Sequence, residues 1–449
     1  MNYLELAKEV VARAAVDGME AEAYIEIGVE TQINVDRQQV EKLSYSGSKG
    51  LGLRVLQDGK MGYAYTSNFS AESITDTIEQ AQALTKAADP DPHRSLPMPE
   101  PIISAELEIF DDSIATTHID DKVAFAMAVE KAALEYDERV MMTNRCTYSD
   151  QSGEVFLANS HGFADSYKKS VAICFTLAIG RDDDGQTQAI GFGASSSLHD
   201  LDPVAVGRKA GQRAVALLGG KPVPTQQVTV VFDPVVSAQL LVAMASALNA
   251  GAMQRGRSFL AGKMGEDVAS DMVTLLDNGR LAGALGTSPF DAEGVPTRAT
   301  RLIDEGVLQT LIYDHYTAQR SGGRSTGNAS RYSHRTPPTL GPTNFHMQPG
   351  NQTQEEIIAG VENGFFVLNA MNTGGINPVS GEFSSAASGI WIKDGKLTDP
   401  INEVTIAASL SDMLNNITAV GNDLVFVPLF GSIGAPTLRI DTMTVGGKG

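Results

Sequence analysis

The sequence predicts an α+β protein with antiparallel sheets, and three observations support this fold class. Apolar and polar residues alternate along several stretches, as they do along strands that have one buried face. Asx-Gly turn signals, such as those at residues 57–60 and 277–279, lie between such stretches and are typical of antiparallel connections. Helical patterns do not alternate with strand patterns in a βαβ order, which argues against a parallel α/β sheet.

Residues 1–89 are predicted to form an N-terminal domain of helices and antiparallel strands. Apolar residues at helical spacing indicate one helix over residues 5–17 and another from about Ala71. Between them the side chains alternate in the strand pattern, and the turn signal at residues 57–60 predicts a hairpin. The predicted strands include residues 23–29, 51–55 and 61–65.

Five prolines within residues 90–101 predict an extended linker, which we assign to residues 90–113. Proline fixes its own φ and has no backbone N–H, so neither a helix nor a central strand tolerates this density. A middle α+β segment is predicted over residues 114–221, with helices near residues 120–136 and 203–218 and short strands between them. We therefore expect the linker to separate two folded units.

Residues 225–449 are predicted to form a C-terminal β-rich domain with a barrel-like antiparallel sheet, because Asx-Gly turns recur between short apolar runs. No charged residue occurs from Pro234 to Gln254. The polar residues within that stretch indicate a helix buried in protein rather than a membrane span. Residues 321–353 form a long polar stretch with little periodicity, and such loops are usually either functional or disordered.

The composition argues against nucleic acid and membranes as partners. The formal net charge is −20, and a surface of that sign repels phosphate backbones. The amphipathic N-terminus lacks the apolar region of a signal peptide. The two cysteines, Cys146 and Cys174, are expected to be reduced core thiols. We therefore expect a cytoplasmic protein.

The chain has no recognisable metal or nucleophile motif. The closest pair of its seven histidines, His334 and His346, is twelve residues apart, so two imidazoles cannot share one turn of helix as in a zinc hydrolase. A site assembled from distant histidines is the alternative. The sequence contains neither a GxSxG motif nor a Gly-flanked reactive cysteine. We predict no catalytic residue and no metal ligand.

Three side chains are candidates for binding, each with a structural alternative. Asp291 and Glu293 lie two positions apart and would share one face of an extended segment, whereas a turn is the alternative. His315 follows Asp314, whose carboxylate could orient the imidazole. Adjacent residues of a strand point to opposite faces, so a structural role is the alternative for His315.

The C-terminal half resembles the TldD/PmbA family, and the resemblance runs in order over roughly residues 20–447. It is carried by motifs long enough to be specific, among them PFDAEGVPT, STGNA and VSGEFSSAASG. The segments are Pro289–Thr297, Leu302–Leu308, Ser325–Ala329, Val379–Gly389, Glu403–Ala407 and Val420–Leu424.

This resemblance implies a cytoplasmic peptidase system in which a TldD-type subunit pairs with a PmbA-type (TldE) subunit. TldD-type chains hold zinc with a helical HExxxH motif and a later cysteine. Counted back from the family segment at residues 254–259, the two histidines fall on Leu241 and Ser246 and the glutamate on Val242. No cysteine follows Cys174. The chain therefore resembles the PmbA/TldE type, and zinc is expected only in a TldD-type partner.

The leading hypothesis is a subunit without zinc ligands in a TldD/TldE metallopeptidase that processes unfolded peptides, bound in extended form. Its predicted substrate-binding residues are Asp291, Glu293, His315 and Asn328. The alternative is a homodimeric peptide-binding adaptor without peptidase activity, in line with an older family label, modulator of DNA gyrase. A third hypothesis is an autonomous hydrolase with a site near His315 and residues 321–353.

Overall fold

The computed structural model describes residues 1–103, 105–371, 375–428 and 431–447. Helices account for 24% and strands for 41%, which confirms the predicted α+β class. No helix in these ranges is long and apolar enough to cross a membrane.

The first half of the chain forms one six-stranded sheet. Its elements are α1 (Tyr3–Ala14), β1 (Glu20–Asp36), β2 (Gln39–Gln57), β3 (Lys60–Thr66), α2 (Ala71–Ala87), α3 (Ser113–Thr116), α4 (Ile119–Leu134), β4 (Val140–Asn159), β5 (Ala164–Arg181), β6 (Gln186–Ser195), a 3₁₀ turn (Leu198–Asp200) and α5 (Pro203–Ala216). The strand order is β3-β2-β1-β4-β5-β6, and all neighbours are antiparallel. Since β1 pairs with β4, the sheet is continuous across the proline-rich linker.

One face of this sheet is covered by helices. Successive side chains of a strand point to opposite faces, and the odd-numbered residues of β1, such as Ile25 and Ile33, lie under the helices. The helices α1 and α2 cover one end of the sheet, and α4 covers the middle. Cys146 and Cys174 are free and buried in the core beneath α4, as predicted.

The other face of the sheet packs against the C-terminal half. Tyr24 and Leu157 on this face share a small apolar cluster with Phe290. Glu22 and Tyr24 of β1 therefore do not face solvent, whereas Glu30 and Asp36 further along the strand are exposed. Glu22, which the strand pattern places on the polar face, is completely buried.

The C-terminal half contains a barrel and a second six-stranded sheet. Its helices are α6 (Pro234–Ala247), α7 (Ala250–Gln254), α8 (His315–Ser321), α9 (Gln354–Ala359) and α10 (Leu410–Asn415). Its strands are β7 (Gln226–Phe232), β8 (Leu275–Asn278), β9 (Ala299–Asp304), β10 (Val307–Leu308), β11 (Ala329–Ser330), β12 (Thr339–Leu340), β13 (Asn344–Met347), β14 (Asn363–Met371), β15 (Glu382–Lys393), β16 (Lys396–Ser409), β17 (Ile417–Val420), β18 (Val425–Val427), β19 (Ser432–Ala435) and β20 (Leu438–Gly447).

The predicted barrel is present. The strands β16, β15, β14, β7 and β20 follow one another, and β16 pairs with β20 to close five strands into a barrel. The second sheet has the order β10-β9-β8-β13-β19-β18. Two pairs, β7 with β14 and β13 with β19, are parallel, whereas the turn signals predict antiparallel neighbours throughout. Parallel pairs need long crossover connections, which local turn signals do not reveal.

The uncharged stretch from Pro234 to Gln254 forms α6 and α7. Leu240, Leu241 and Met244 of α6 are at most 1% exposed and belong to a core shared with barrel strands and with strands of the second sheet. The prediction of a helix buried in protein is thus confirmed.

The proline-rich linker is packed against both halves, and on the side of the first half the Leu96 amide donates to Glu20 of β1 at 3.3 Å. The Tyr316 hydroxyl of α8 donates to Asp91 at 2.7 Å, and Ser95 Oγ lies 2.8 Å from His315 Nε2. Leu96 is only 3% exposed. The boundaries at residues 89, 113 and 221 stay predictions, since the first sheet spans the units on both sides of the linker.

Candidate functional site

A buried series of ion pairs joins the first sheet to the C-terminal half. Arg54 of β2 donates to Glu22 of β1 at 2.7 Å and to Glu293 at 2.8 Å. The three side chains are at most 7% exposed. Arg331 also pairs with Glu22, so two arginines balance two carboxylates in this group. Removing one partner would leave an uncompensated charge in the interior.

Asp291 and Glu293 lie in a tight turn, as the structural alternative predicted. Asp291 Oδ1 accepts hydrogen bonds from the amides of Glu293 at 2.9 Å and Val295 at 3.0 Å. Its Oδ2 accepts from the Ala329 amide at 3.0 Å. Burial and the nearby charge of Glu293 raise the pKa of Asp291, although these three amides favour the carboxylate. Asp291 therefore holds the turn that presents Glu293 to Arg54.

His315 begins α8 and contacts both Glu293 and the linker. Its amide donates to Glu293 Oε2 at 3.0 Å, and its Nε2 lies 2.8 Å from Ser95 Oγ. Burial lowers the pKa of His315, while the charge of Glu293 opposes that shift. Asp314 caps α8 by accepting from the Thr317 amide at 2.8 Å. The Asp314 carboxylate is therefore occupied with the helix end, and the imidazole is positioned by Ser95.

Asn328 lies in the same region and links two C-terminal segments. Its Nδ2 donates to Asp277 Oδ2 at 2.6 Å, and its Oδ1 accepts from Thr326 Oγ1 at 2.6 Å. Burial raises the pKa of Asp277. Asn328 is 1% exposed, so its amide is fully used inside the protein.

The structure thus brings the four predicted substrate-binding residues into one buried network. Glu293 connects directly to Asp291 and His315, and Asn328 precedes the residue whose amide binds Asp291. The carboxylate oxygens of Asp291 and Glu293 all accept hydrogen bonds from protein groups. This geometry suits positioning of the interface, and substrate binding by these residues stays a prediction.

The polar stretch 321–353 is folded and supplies partners that the pattern analysis did not select. The Arg331 guanidinium lies 4.8 Å from the centre of the Tyr24 ring. His334 is 5% exposed and its Nδ1 lies 2.7 Å from Glu26 Oε1. A sequence signal exists, because Glu22 and Glu26 recur on one face of β1 and require buried partners once that face is covered.

A polar cavity of about 270 Å³ lies beside this network, between the first sheet and the C-terminal half. Asp291, Arg331 and Lys169 line it. Lys169 Nζ donates to the Thr287 carbonyl at 3.2 Å, and it forms no ion pair within the described ranges. Burial lowers the pKa of Lys169 to about 8. Like Asp291, the Lys169 amine therefore has a large free-energy cost of carrying its charge without a counter-ion.

The three positions that the count from residues 254–259 assigns to the zinc motif lie on α6, and their side chains do not fit zinc. Leu241 is 0% exposed within the apolar core. Val242 is half-buried, and Ser246 is exposed with its hydroxyl donating to the Val242 carbonyl at 3.2 Å. Zinc in proteins is held by thiolate, imidazole or carboxylate groups, none of which occurs at these positions. Across the described residues, no three His, Cys, Asp or Glu side chains converge as a metal site would require.

Sequence profiles of one protein family match most of the chain in three consecutive parts. The profile described as PmbA/TldA metallopeptidase domain 1 matches residues 21–85. The central-domain profile of the same family matches residues 112–218, and its C-terminal-domain profile matches residues 225–447.

Individual proteins are similar over almost their whole length. A metalloprotease PmbA homolog of Haemophilus influenzae is 28% identical over 451 residues, covering 99% of this chain and 95% of that protein. A proposed modulator of DNA gyrase from Bacteroides thetaiotaomicron has a solved structure with a TM-score of 0.88 at 29% identity, covering 99% of this chain and 98% of the other. TldE from Thermococcus kodakarensis has a TM-score of 0.87 at 23% identity, with 99% of both chains covered, and shares the fold.

Proposed function

The chain belongs to the PmbA/TldD metallopeptidase family, and we propose that it is a PmbA/TldE-type subunit that works with a zinc-bearing TldD-type chain on unfolded peptides. The observation that supports this proposal is which side chains α6 carries. By the count from residues 254–259, Leu241, Val242 and Ser246 of α6 fall at the positions of the zinc motif, and none of these side chains can hold zinc or activate water. We place this subunit in the cytoplasm.

The proposed partner is a TldD-type subunit, which would supply zinc and the general base. This chain would contribute its folded barrel and its interface network to the assembly, and extended peptides would be the substrates. The predicted substrate residues, Asp291, Glu293, His315 and Asn328, would act by holding the first sheet against the C-terminal half. The resemblance to Thermococcus TldE in fold is compatible with this proposal.

The decisive experiment is co-expression with a TldD-type chain from the same cell. We expect the two chains to purify together, and we expect cleavage of unstructured fluorogenic peptides by the pair but not by this chain alone. A matched sample, in which the glutamate of the partner's zinc motif is changed to glutamine, should be inactive although the complex forms. Peptidase activity of this chain alone would overturn the proposal.

The same experiment distinguishes the proposed subunit from the alternative, a homodimeric adaptor. An adaptor would bind unstructured peptides as a dimer and would not co-purify with the TldD-type chain. The label of gyrase modulator carried by the Bacteroides structure belongs to this alternative. The net charge of −20 disfavours direct contact with DNA but permits an acidic surface that binds another protein.

A further inference from the structure

A hydrogen-bonded series of a serine, a histidine and a glutamate lies where the end of β3 meets the segment 321–353. Ser67 Oγ lies 3.2 Å from His334 Nε2, and His334 Nδ1 lies 2.7 Å from Glu26 Oε1. In the sequence, His334 is 267 positions from Ser67 and 308 positions from Glu26, so no short motif reveals the group. A serine, an imidazole and a carboxylate in this order are the arrangement that activates a serine hydroxyl in hydrolases.

Glu26 determines which nitrogen of the neutral His334 ring carries the proton. An ionised carboxylate only accepts hydrogen bonds, so Nδ1 carries the proton that is donated to Glu26. Nε2 is then the acceptor, and the Ser67 hydroxyl donates to it. A general base requires this tautomer, because Nε2 is free to take the proton of the hydroxyl.

The imidazole of His334 is held in place by contacts on several sides. The His334 amide donates to the same Glu26 oxygen at 3.0 Å, and the His334 carbonyl accepts from the Tyr63 hydroxyl at 2.7 Å. The Tyr65 ring packs edge-to-face against the imidazole, with 6.1 Å between the ring centres. A Cβ at Gly50 would overlap the imidazole, so only glycine fits beneath it. The side chain is 7% exposed, and its orientation is therefore fixed by packing as well as by hydrogen bonds.

Ser67 is accessible, and the backbone around it is restrained. The residue is exposed and lies in the loop between β3 and α2. The Thr66 hydroxyl donates to the Asn68 carbonyl at 3.2 Å and accepts from the Asn68 amide at 3.0 Å, which holds the chain on both sides of Ser67. Ser70 supplies the N-cap of α2, so the Ser67 hydroxyl is not needed to begin that helix. A substrate can therefore approach Ser67 from solvent while the hydroxyl contacts His334.

The exposed position of Ser67 favours esters over peptides as substrates. Solvent water would donate to the oxyanion at such a position, and water stabilises that charge less than fixed donors in a water-excluded site. Cleavage of an amide depends more strongly on this stabilisation than cleavage of an ester, because an amine leaves less readily than an alcohol. The net charge of −20 disfavours anionic esters. Small neutral acyl esters are therefore the substrate class that suits this site.

We propose that Ser67 and His334 are the catalytic residues of an esterase site for small neutral acyl esters, and that Glu26 positions the imidazole. Ser67 Oγ forms a bond to the carbonyl carbon while its proton passes to His334 Nε2. The bond from that carbon to the alcohol oxygen then breaks, and the alcohol leaves with this proton. Water next attacks the acyl carbon and gives a proton to Nε2. The bond to Ser67 Oγ breaks, Oγ takes up that proton, and the carboxylic acid is released.

The test treats the full chain, without a partner, with a fluorophosphonate probe. An activated serine oxygen attacks the phosphorus of this probe and displaces fluoride, while the proton of the hydroxyl passes to the base. We expect the probe to be attached to Ser67, within the tryptic peptide of residues 61–86, where fragmentation in a mass spectrometer assigns the position. Hydrolysis of p-nitrophenyl acetate, a small neutral ester, measures turnover at the same site.

Two variants with matched controls assign the reaction to the serine and the base. Ser67→Ala should abolish labelling, and because Ser67 is exposed the variant should fold like the unaltered chain. Ser46→Ala, at an exposed serine of β2, should be labelled at the unaltered rate. His334→Gln should slow labelling about 100-fold, which is the lower end of what a general base contributes. His118→Gln, at an exposed histidine beside Asp120, should leave the labelling rate unchanged.

Glu26→Gln tests the positioning role of the carboxylate. The amide of glutamine can donate to Nδ1, which favours the tautomer that carries its proton on Nε2 and cannot accept from Ser67. We expect kcat for p-nitrophenyl acetate to fall at least about tenfold while KM stays within about twofold. A merely structural role of Glu26 would lower the midpoint of thermal unfolding and leave kcat of the folded protein unchanged.

Three results would overturn the proposal. No reaction of the unaltered chain with the probe would show that Ser67 is not activated. Labelling that persists in Ser67→Ala would place the reactive group elsewhere. An unchanged rate at Ser67 in folded His334→Gln, or in Glu26→Gln where His334→Gln does not fold, would show that the imidazole is not the base. Peptide cleavage with a TldD-type subunit is measured separately, so either proposal can fail without the other.

Discussion

Arg54 and Glu293 form an ion pair of 2.8 Å between residues that are 239 positions apart. The pair connects the first sheet directly to a turn of the C-terminal half. The pair is almost completely buried, so the remaining charged group cannot be hydrated if its partner is removed. This relationship makes the interface sensitive to single substitutions.

Replacement of Arg54 by Met should lower the free energy of unfolding by about 3–5 kcal/mol, because it leaves Glu22 and Glu293 with less compensation in the interior. Urea denaturation followed by circular dichroism measures the change. Arg13→Met is the matched control, since Arg13 pairs with Glu9 on the surface of α1. Such exposed pairs contribute about 0–1 kcal/mol. A loss at Arg54 as small as that at Arg13 would contradict the inferred role of the pair.

Lys169→Met should stabilise the protein at neutral pH and lose this advantage in alkali. The pKa of Lys169 is about 8 in the folded chain, and about 10.4 in the unfolded one. The cost of burying the charge is therefore fully present below pH 8 and disappears as the pH rises towards 10.4. The expected gain below pH 8 is about 1–3 kcal/mol, reduced by loss of the hydrogen bond to Thr287.

Thermal unfolding of the Lys169 variant between pH 6 and 10 measures this dependence. Lys168→Met is the control, because the neighbouring Lys168 is exposed and lies over the Phe110 ring. Its effect should be small and independent of pH over this range. A Lys169 variant that is destabilised by the same amount at every pH would show that the amine has a counter-charge in solution.

Limited proteolysis should distinguish two parts of the proline-rich linker. Residues 98–100 are exposed, whereas Asp91, Ser95 and Leu96 are held by α8 or buried. We expect early cleavage by a glutamate-specific protease after Glu106, which is exposed further along the linker, and slow cleavage after Arg94 by trypsin. Mass spectrometry of the fragments identifies both cuts.

Tyr316→Phe removes the hydroxyl that binds Asp91 and should accelerate cleavage after Arg94. Tyr136→Phe, at a tyrosine that is 41% exposed, is the matched control and should leave the rate unchanged. Equal rates in all three proteins would mean that the α8 contact does not restrain the linker.

Placing the residues of the zinc motif on α6 should not produce peptidase activity. Leu241→His, Val242→Glu and Ser246→His together place an imidazole in the apolar core, and two side chains five positions apart on a helix diverge by about 140°. A third ligand is also lacking. We expect weak zinc affinity at most, no peptidase activity, and a loss of several kcal/mol of stability from the unpaired polar groups.

Ser246→His alone is the control, since Ser246 is exposed and the substitution should be nearly neutral. Zinc titration by calorimetry and peptide cleavage are the measurements. A triple variant that folds as well as the control and cleaves peptides by itself would refute the account of α6.

Local sequence patterns predicted the helices and strands of this protein better than they predicted which distant residues and strands pair. The helical spacing of residues 5–17 and the proximity of Asp291 to Glu293 were visible because both are short-range. The pairing of Glu293 with Arg54 depends on how two distant parts dock, and no spacing in the sequence encodes it. For the same reason the parallel pair β7 and β14 was missed, since a crossover connection leaves no turn signal.

The strand pattern was also incomplete for buried polar residues. In β1, alternation correctly separates the two faces, but it implies solvent on the side of Glu22. That side is covered by residues from 321–353, a stretch whose polar composition suggested function or disorder. A segment whose arginines and carboxylates pair in the interior has the same composition as an exposed loop. The two can be distinguished only once the packing of the two halves is known.

The pairing of β1 with β4 has a consequence for synthesis on the ribosome. Glu22 can pair with Asn159, its opposite residue, only after β4 has been synthesised, so the centre of the first sheet forms late. At about 5–20 residues per second, the edge of β1 stays open for roughly 7–27 seconds after it emerges. During that interval β1 and β2 form an unfinished ladder that other nascent chains could join. Chaperone occupancy of the nascent chain should therefore persist until β4 has left the tunnel and fall as the ladder closes.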